Sequence, residues 1–321
     1  MGFDRNAASD QAFGHKPVLL EECLTALDIK PDGIYVDGTL GRAGHSLEIV
    51  KKLTGKGRLI CLDRDETAIE AAKIRLADYL DRVTLVHSNF SRIAEVLHQL
   101  DIPGVDGMLF DLGVSSPQLD EARRGFSYMH DAPLDMRMDR TAALTARDVV
   151  NDWSYEDLRR ILFEYGEERY APAIAKAIVR RRQEAAIETT GQLVDIIRAA
   201  MPPAAPREKK HPAKRSFQAI RIAVNDELGE LPPMLQAASD ALRPGGRLAV
   251  ISFHSLEDRI IKKTLQELST GCTCPPNFPV CVCGKKPKMK LVGRKPIVAG
   301  EAELVYNPRA RSAKLRVAEK L

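Results

Sequence analysis

The stretch Ile34-Tyr-Val-Asp-Gly-Thr-Leu-Gly-Arg-Ala-Gly-His45 decides the fold of this chain. A short β-rich run is followed by glycines at positions 38, 41 and 44 and then by a helical apolar pattern over residues 46–53. Glycine lets the backbone approach a ligand closely, and open α/β sheets bind ligands at the carboxyl ends of their strands. The spacing G-x-x-G-x-x-G differs from the G-x-G-x-x-G of dinucleotide-binding turns. We therefore expect a strand, a ligand-binding turn and a helix; a purely structural turn is the alternative.

Two carboxylates stand at strand ends close to this turn. Asp37, directly before Gly38, suits a ligand with a cationic amino group, such as S-adenosylmethionine, better than a diphosphate. The run Arg58–Asp63 ends in a second carboxylate, and in nucleotide-binding folds a carboxylate at this place accepts hydrogen bonds from the ribose hydroxyls. We predict that role for Asp63 and predict that Asp65 is the N-cap of the following helix.

Two further strand ends supply candidate residues. Phe90 follows the run Val83–His87, and its ring either covers an adenine face or packs in the core. Asp111 ends the run 107–111, where α/β transferases hold the group that acts on the acceptor. An exocyclic base amine is a poor nucleophile, because its lone pair is delocalised, and a hydrogen-bond acceptor on its N–H would help it react. Asp111 is therefore a catalytic candidate, and cofactor binding is its alternative role.

The order of patterns along the chain predicts an α/β fold with a parallel sheet. Strand and helix patterns alternate over the first 120 residues, helical patterns such as 155–165, 172–183 and 190–200 follow one another, and a strand pattern returns at 247–253 after the turn Arg-Pro-Gly-Gly. We expect residues 1–118 and 213–321 to form the cofactor-binding domain. Residues 119–212 are expected to form an inserted helical domain that recognises the substrate, with a linker over 201–215.

Length and composition exclude several classes of protein. A chain of 321 residues with 44% hydrophobic and 29% charged residues is typical of a folded globular protein and not of a disordered or fibrous one. The sequence contains no apolar run of the roughly 18 residues that a membrane span needs, and its N-terminus is polar. We therefore expect a cytoplasmic protein without a membrane partner.

The formal net charge of +4 is unevenly distributed along the chain. Residues 271–321 contain 11 Lys and Arg but only 3 Asp and Glu, so the basic excess lies near the C-terminus. Two compact basic elements, 211–221 and 307–316, interleave cations with Ser, Asn or Gln, as phosphate-contacting surfaces do. They predict an RNA surface, and a solvated face is the alternative for each. The candidate RNA-binding residues are Lys214, Arg215, Arg221, Arg309, Arg311 and Lys314.

The cysteines form a pattern of their own. Cys272, Cys274, Cys281 and Cys283 are spaced C-x-C-x6-C-x-C on a proline-rich stretch. Four thiolates could bind a tetrahedral zinc ion, although one residue between paired ligands is fewer than structural zinc sites usually have. Free thiols on a surface loop and a labile disulfide are the alternatives.

Several runs, taken together, resemble the bacterial RsmH (MraW) family. They are Asp37-Gly-Thr-Leu-Gly-Arg-Ala-Gly-His45, Phe110-Asp-Leu-Gly-Val-Ser-Ser-Pro-Gln-Leu119, Pro133-Leu-Asp-Met-Arg-Met-Asp139, Tyr165-Gly-Glu-Glu-Arg169, Ser252-Phe-His-Ser-Leu-Glu-Asp-Arg259 and Asn307-Pro-Arg-Ala-Arg-Ser312. The resemblance implies a class I (Rossmann-like) S-adenosylmethionine-dependent methyltransferase sheet with an inserted helical domain. It also implies methylation of the N4 amine of a cytidine in the decoding region of 16S rRNA.

The resemblance also implies which residues contact the cofactor: Ala43, Gly44, His45, Asp63, Phe90, Asp111 and Gln118. It makes the turn at Ala43 to His45 a firmer cofactor site than Asp37, and it makes Asp111 a cofactor residue first and a catalytic candidate second. The partner it implies is 16S rRNA or the small ribosomal subunit. Naked and assembled RNA remain open as substrate, as do monomer and homodimer as oligomeric state, and zinc is not associated with the family's activity.

Two other functions stay open on the sequence. An NAD-dependent oxidoreductase would share the strand, turn, helix and ribose carboxylate, and a non-catalytic ribosome-binding factor would use the same basic elements. Hydrolase chemistry at His254 and Ser255 is disfavoured, because adjacent residues point apart in an extended segment and no G-x-S-x-G motif is present.

Overall fold

The structure, a computed structural model, describes residues 16–202, 211–275, 280 and 282–321. Two compact units divide the chain: one comprises the residues up to Gly113 and from Leu228 onward, and the other comprises Val114–Glu227. No helix among the described residues is both long and apolar enough to cross a membrane.

A seven-stranded sheet forms the centre of the first unit. Its order is β3-β2-β1-β4-β5-β7-β6; the first five strands in sequence pair in parallel, and β7 runs antiparallel to both β5 and β6. The order reverses between β1 and β4, which is the switch point where open α/β sheets bind ligands. The strands are β1 Ile34–Asp37, β2 Arg58–Asp63, β3 Val83–His87, β4 Val105–Asp111, β5 Leu242–Ser252, β6 Met289–Leu291 and β7 Lys314–Lys320.

Helices α1 to α4 and α11 to α13 belong to this sheet unit, and α5 to α10 belong to the helical unit. In chain order the helices are α1 Leu20–Leu27, α2 Gly44–Val50, α3 Glu66–Arg75, α4 Ile93–Gln99, α5 Ser116–Asp120, α6 Ala146–Asp152, α7 Tyr155–Glu164, α8 Ala171–Glu184, α9 Thr190–Ala200, α10 Lys214–Asn225, α11 Leu231–Ala241, α12 Ser255–Ser269 and α13 Glu301–Tyr306.

Apolar side chains cover both faces of the sheet. In β2, Ile60 and Leu62 belong to one hydrophobic cluster, whereas Leu59 and Cys61 belong to another, because successive side chains of a strand point to opposite faces. Burial on both faces explains why this strand is an almost continuous apolar run. The expected α/β class, with a mostly parallel sheet and a helical unit inserted in the chain, is confirmed.

The local predictions agree with most of these elements. The structure has β2, β3 and α9 at their predicted bounds, and Asp65 is the N-cap of α3, where its carboxylate accepts a hydrogen bond from the backbone N–H of Thr67 at 3.1 Å. This bond satisfies one of the amide groups that a helix start leaves without a partner.

The predicted turn Arg-Pro-Gly-Gly follows the end of α11, as expected, but it lies within a strand and not before it. The sequence Arg-Pro-Gly-Gly lies inside β5, which begins at Leu242 directly after α11. An advance of two positions along β4, from Val105 to Gly107, corresponds to an advance of five positions along β5, from Leu242 to Arg247. A bulge therefore accommodates the extra residues, and Gly245 adopts a φ of +79° there, which a residue without a Cβ does easily.

The helical unit also extends further than the predicted range of 119–212. Helix α10 belongs to it, because Phe217 and Ile220 of that helix pack in its hydrophobic core with Leu162 and Ile174. The predicted linker falls partly on residues 203–210, which lie outside the described residues.

Candidate cofactor site and basic surfaces

Three carboxylates end neighbouring strands of the sheet unit. Asp37 is the last residue of β1, Asp63 of β2 and Asp111 of β4, and β1 lies between the other two strands. The carboxyl ends of parallel strands share one edge of a sheet, so the fold brings these predicted residues to the same edge. This is the edge at which the switch point between β1 and β4 creates a crevice.

Asp63 holds the glycine-rich turn against β2. Its Oδ2 accepts a hydrogen bond from the N–H of Gly41 at 2.8 Å, and its Oδ1 accepts one from the N–H of Asp65 at 2.8 Å. Each carboxylate oxygen has further acceptor capacity, so the predicted ribose contacts remain available. Burial raises the pKa of Asp63 to about 6, and the two backbone hydrogen bonds oppose that rise.

The turn ends in an unusual backbone conformation. Ala43, the residue before α2, has a φ of +57° in the left-handed region, where a residue with a Cβ is strained by about 1–2 kcal/mol. Its side chain is fully buried, and its N–H donates to the carbonyl of Leu40 at 2.7 Å. Strain of this kind is retained where the surrounding structure fixes it, often at a ligand site. The next residue, Gly44, could not carry a Cβ without contacting Pro17.

Both carboxylate oxygens of Asp37 accept hydrogen bonds from its own strand-turn-helix segment. Its Oδ2 accepts a hydrogen bond from the Ser46 hydroxyl at 2.6 Å, its Oδ1 accepts one from the N–H of Thr39 at 3.1 Å, and the residue is only 1% exposed. Burial raises its pKa to about 6. The structure thus gives both carboxylate oxygens intramolecular partners, and the contact of Asp37 with a cationic ligand group stays a prediction. Asp37 connects the turn to α2, and Gly38 beside it has no room for a Cβ because the Phe110 ring lies there.

Asp111 differs from the other two carboxylates in the hydrogen bonding of its oxygens. Its Oδ1 is buried without a hydrogen-bond partner among the described residues. Burial, together with the negative charges of Asp37 and Glu257, raises the pKa of Asp111 well above its usual range. A buried acceptor without a partner is costly in a folded protein, and at a strand end it indicates a ligand that donates a hydrogen bond.

His45 lies beside Asp111 as a neutral ring. Burial lowers its pKa to about 4, and its Nε2 lies 3.0 Å from the carbonyl of Val18. That hydrogen bond needs the proton on Nε2, which leaves Nδ1 as an acceptor 3.7 Å from Oδ2 of Asp111. Two of the predicted cofactor residues, His45 and Asp111, are therefore brought together, and His45 provides no positive charge.

Phe90 is part of the core. The ring is 8% exposed and packs edge-to-face on Phe110, with ring centroids 6.1 Å apart. Of the two interpretations left open by the sequence, the structure supports core packing directly. Gln118 belongs to the helical unit, where its Oε1 accepts a hydrogen bond from the N–H of Ser115 at the start of α5.

Arg221 and Lys314, two of the predicted RNA-binding cations, pair with carboxylates of the same chain. Arg221 forms a two-pronged ion pair with Glu227, at 2.7 and 2.8 Å, and Lys314 pairs with Asp258 at 2.9 Å. Partly buried cations need such partners, because an unpaired charge away from water is expensive. Lys214, Arg309 and Arg311 are exposed, and Arg215 is half-buried.

The structure also groups cations that the sequence analysis did not single out. Lys262 of α12 and Arg316 of β7 line a surface cavity together with Arg294 and Lys295. Arg316 is bonded to Asp258 at 2.6 Å, which leaves three cations exposed around the cavity. A signal was present in the sequence, because residues 285–295 contain six Lys and Arg and no Asp or Glu.

Sequence comparison gives the chain clear relatives. Residues 12–321 match the model of the MraW methylase family. A protein of Paenibacillus sp. (strain JDR-2), named ribosomal RNA small subunit methyltransferase H, is 60% identical over 315 residues, which cover 96% of this chain and 100% of that protein. A Symbiobacterium thermophilum protein of the same name is 58% identical, with 97% of this chain and 98% of that protein covered.

Solved structures show weaker likeness. A methyltransferase homolog protein from Pyrococcus horikoshii has a TM-score of 0.44 at 13% identity, with 100% of this chain and 73% of that one covered. An rRNA methylase from Streptococcus thermophilus has a TM-score of 0.38 at 11% identity, with 100% and 99% covered. The sequence relatives therefore carry the assignment.

Proposed function

The chain belongs to the MraW methylase family, and from this premise we propose that it methylates 16S rRNA of the small ribosomal subunit with S-adenosylmethionine as methyl donor. The acceptor in this proposal is the N4 amine of a cytidine in the decoding region. The names of the sequence relatives support the class of RNA, and the geometry of the strand ends supports the cofactor. Ribosomal RNA as substrate also favours a cytoplasmic location.

The observation that carries the proposal is that Oδ1 of Asp111, at the switch point, has no hydrogen-bond partner in the part of the chain that the structure describes. It lies on the strand next to β1, whose glycine-rich turn is held by Asp63. S-adenosylmethionine carries two positive groups, a sulfonium and an ammonium, and one negative carboxylate. It is therefore a net cation, and it also has hydrogen-bond donors. Two partly buried carboxylates, Asp63 with a pKa of about 6 and Asp111 with a pKa well above its usual range, suit a cationic ligand, because a nearby positive charge offsets the cost of ionising them. The residues present thus fit the cofactor.

The same charges disfavour a nicotinamide dinucleotide. A pyrophosphate needs backbone N–H groups and positive potential at a helix start. At this turn the N–H of Gly41 is already bonded to Asp63, and the neighbouring side chain of His45 is neutral. The NAD-dependent oxidoreductase that the sequence left open is therefore the weaker proposal.

Methyl transfer to N4 forms an N–C bond, breaks the S–C bond of the donor and releases one amine proton. The cofactor supplies the methyl group, and the protein must hold the amine in line with it. Because N4 lies on the pairing edge of cytosine, the base must be unpaired or flipped out. Oδ1 of Asp111 can accept a hydrogen bond either from the amine or from the cofactor, and both roles use the same partnerless atom.

The basic surfaces of the sheet unit support an RNA substrate. Arg309 and Arg311 are exposed on a short helical turn, and Lys262, Arg294 and Lys295 surround the cationic cavity. Such cations contact phosphates, and phosphate contacts position an RNA without selecting its sequence. Selection of one cytidine then depends on how the folded RNA is presented.

Nucleoside mapping of 16S rRNA by mass spectrometry, with and without the gene, tests the function. We expect one cytidine of the decoding region to lose its N4-methyl group in the deletion strain and to regain it with the intact gene. An unchanged N4-methylcytidine would favour a non-catalytic ribosome-binding factor. Purified enzyme offered isolated small subunits or naked 16S rRNA identifies the substrate form.

Asp111→Asn separates the two roles of Asp111. If Oδ1 binds the cofactor, the Kd of S-adenosylmethionine rises; if it accepts a hydrogen bond from the amine, kcat falls at unchanged Kd. Calorimetry gives the first quantity and saturating kinetics the second. Asp78→Asn, at an exposed carboxylate of the same unit, is the matched control. Unchanged Kd and kcat in Asp111→Asn would contradict both roles.

A further inference from the structure

The cysteine-rich loop joins α12 to β6 and plays no part in the site described above. Three of its cysteines, Cys272, Cys274 and Cys283, have sulfur atoms that all lie within 4.8 Å of one another. Cys281, the fourth cysteine of the sequence pattern, lies outside the described residues. The loop thus gathers thiols from positions up to 11 residues apart.

The sulfur spacing matches a tetrahedral metal site. Zinc–sulfur bonds are about 2.3 Å long, so two thiolates at the corners of a regular tetrahedron lie roughly 3.8 Å apart. The Sγ atoms of Cys272 and Cys283 are separated by 3.7 Å. The sulfurs of a disulfide would lie about 2.0 Å apart. The N–H of Cys274 also points at Sγ of Cys272, at 3.4 Å, and so stabilises negative charge on that sulfur.

The described part of the loop has no buried side chain that could order it. None of its described residues between Thr270 and Lys288 is buried, and Val280 and Val282 are 69% and 74% exposed. A segment that buries so little apolar surface needs another source of order, and closure by a metal ion is a common one.

The surrounding charges favour a thiolate site. Several thiolates around one divalent ion leave a net negative charge, which nearby cations offset. Lys285 and Lys286 follow Cys283 after a single glycine, Gly284, whose φ of +60° turns the chain there. Thiolate ligands select soft ions, and zinc is the ion that prefers a tetrahedral sulfur site without redox chemistry.

We propose that Cys272, Cys274 and Cys283 bind one Zn²⁺ ion, which orders the loop between α12 and β6. The proposal is independent of the methyltransferase reaction, because none of these residues lies at the strand ends. A further ligand completes the tetrahedron, and the experiment below counts the thiolates.

Metal analysis of the full-length protein tests the site. The protein is expressed in zinc-supplemented medium, purified without chelators or a histidine tag, and measured by mass spectrometry for metals. We expect about one equivalent of zinc in the wild type and less than a fifth of an equivalent in Cys272→Ser and Cys283→Ser. Cys23→Ala, which removes a buried core thiol elsewhere in the sheet unit, should retain the full amount.

Cobalt substitution gives an independent readout. Co²⁺ in a tetrahedral thiolate site produces sulfur-to-cobalt charge-transfer absorption, whose intensity increases with the number of thiolates. We expect this absorption in the wild type and its loss in Cys272→Ser. A lower intensity in Cys281→Ser than in the wild type would indicate four thiolate ligands, and an equal intensity would indicate three. Chelation should accelerate amide exchange in peptides covering residues 282–291 at least tenfold.

Two results would overturn the proposal. One is a wild-type protein with less than a tenth of an equivalent of zinc and no charge-transfer absorption with Co²⁺. The other is a denatured protein in which two more thiols can be titrated after reduction than before it, because a disulfide would then hold the loop.

Discussion

Lowering the pH from 7 to 5 is expected to weaken S-adenosylmethionine binding about tenfold through Asp63. In the free protein burial raises the pKa of this carboxyl to about 6, so at pH 7 about nine tenths of the molecules carry the carboxylate and at pH 5 about one tenth. Ribose hydroxyls donate to the carboxylate, and binding should return its pKa to about 4. The carboxyl and amino groups of the cofactor titrate near pH 3.5 and 8, outside this window.

The sign of this effect follows from linkage. A carboxyl whose pKa is raised in the folded state binds more protons there than in the unfolded state, so stability of the free protein falls as the pH rises from about 4 to about 6. Cofactor binding at pH 7 removes that cost. We therefore expect S-adenosylmethionine to raise the melting temperature more at pH 7 than at pH 5, at equal concentration.

Calorimetry at pH 5, 6 and 7 measures the effect on Kd, and Asp63→Asn assigns it. Asp63→Asn should bind S-adenosylmethionine more weakly at pH 7, and its Kd should no longer show the roughly tenfold change between pH 7 and pH 5. The exposed control Asp78→Asn should retain that change. Asp37 also has a pKa of about 6, but its oxygens are bonded within the turn, so its contribution should change less on binding. A wild-type Kd that is flat between pH 5 and 7, or a variant with the wild-type profile, would refute the assignment of Asp63.

Two further predictions concern the Phe90 ring and two exposed arginines near the C-terminus. Phe90→Ala should lower the free energy of unfolding by about 3–5 kcal/mol, because the ring is buried against Phe110. Chemical denaturation measures this change. An unchanged free energy of unfolding together with a lost affinity for the cofactor would instead support stacking of the ring on adenine. The double substitution of Arg309 and Arg311 by Gln should weaken RNA binding and reduce its salt dependence by about two charges, because both residues are exposed and phosphate contacts release counterions. Salt-titrated binding assays measure this, calorimetry should show an unchanged affinity for S-adenosylmethionine, and an unchanged salt dependence would contradict an RNA contact at these arginines.

Local pattern predicted the framework of the site well. The strand-turn-helix around Gly38 to His45, the carboxylates at the ends of β1, β2 and β4, and the N-cap at Asp65 all follow from short-range rules. Alternation, glycine conformation and helix capping depend on residues within a few positions of each other, and a sequence displays these directly.

The sequence alone thus determined the fold class and the strand ends at which the carboxylates meet. Only the tertiary structure decided which polar side-chain atoms remain available to bind a ligand. It bonded Asp37 to Ser46, placed Phe90 in the core, paired Lys314 with Asp258 and left Oδ1 of Asp111 without a described partner. The physical reason is that a buried or charged group takes whichever partner the fold brings to it. Lys314 and its partner are 56 residues apart, a distance over which no periodicity in the sequence carries information.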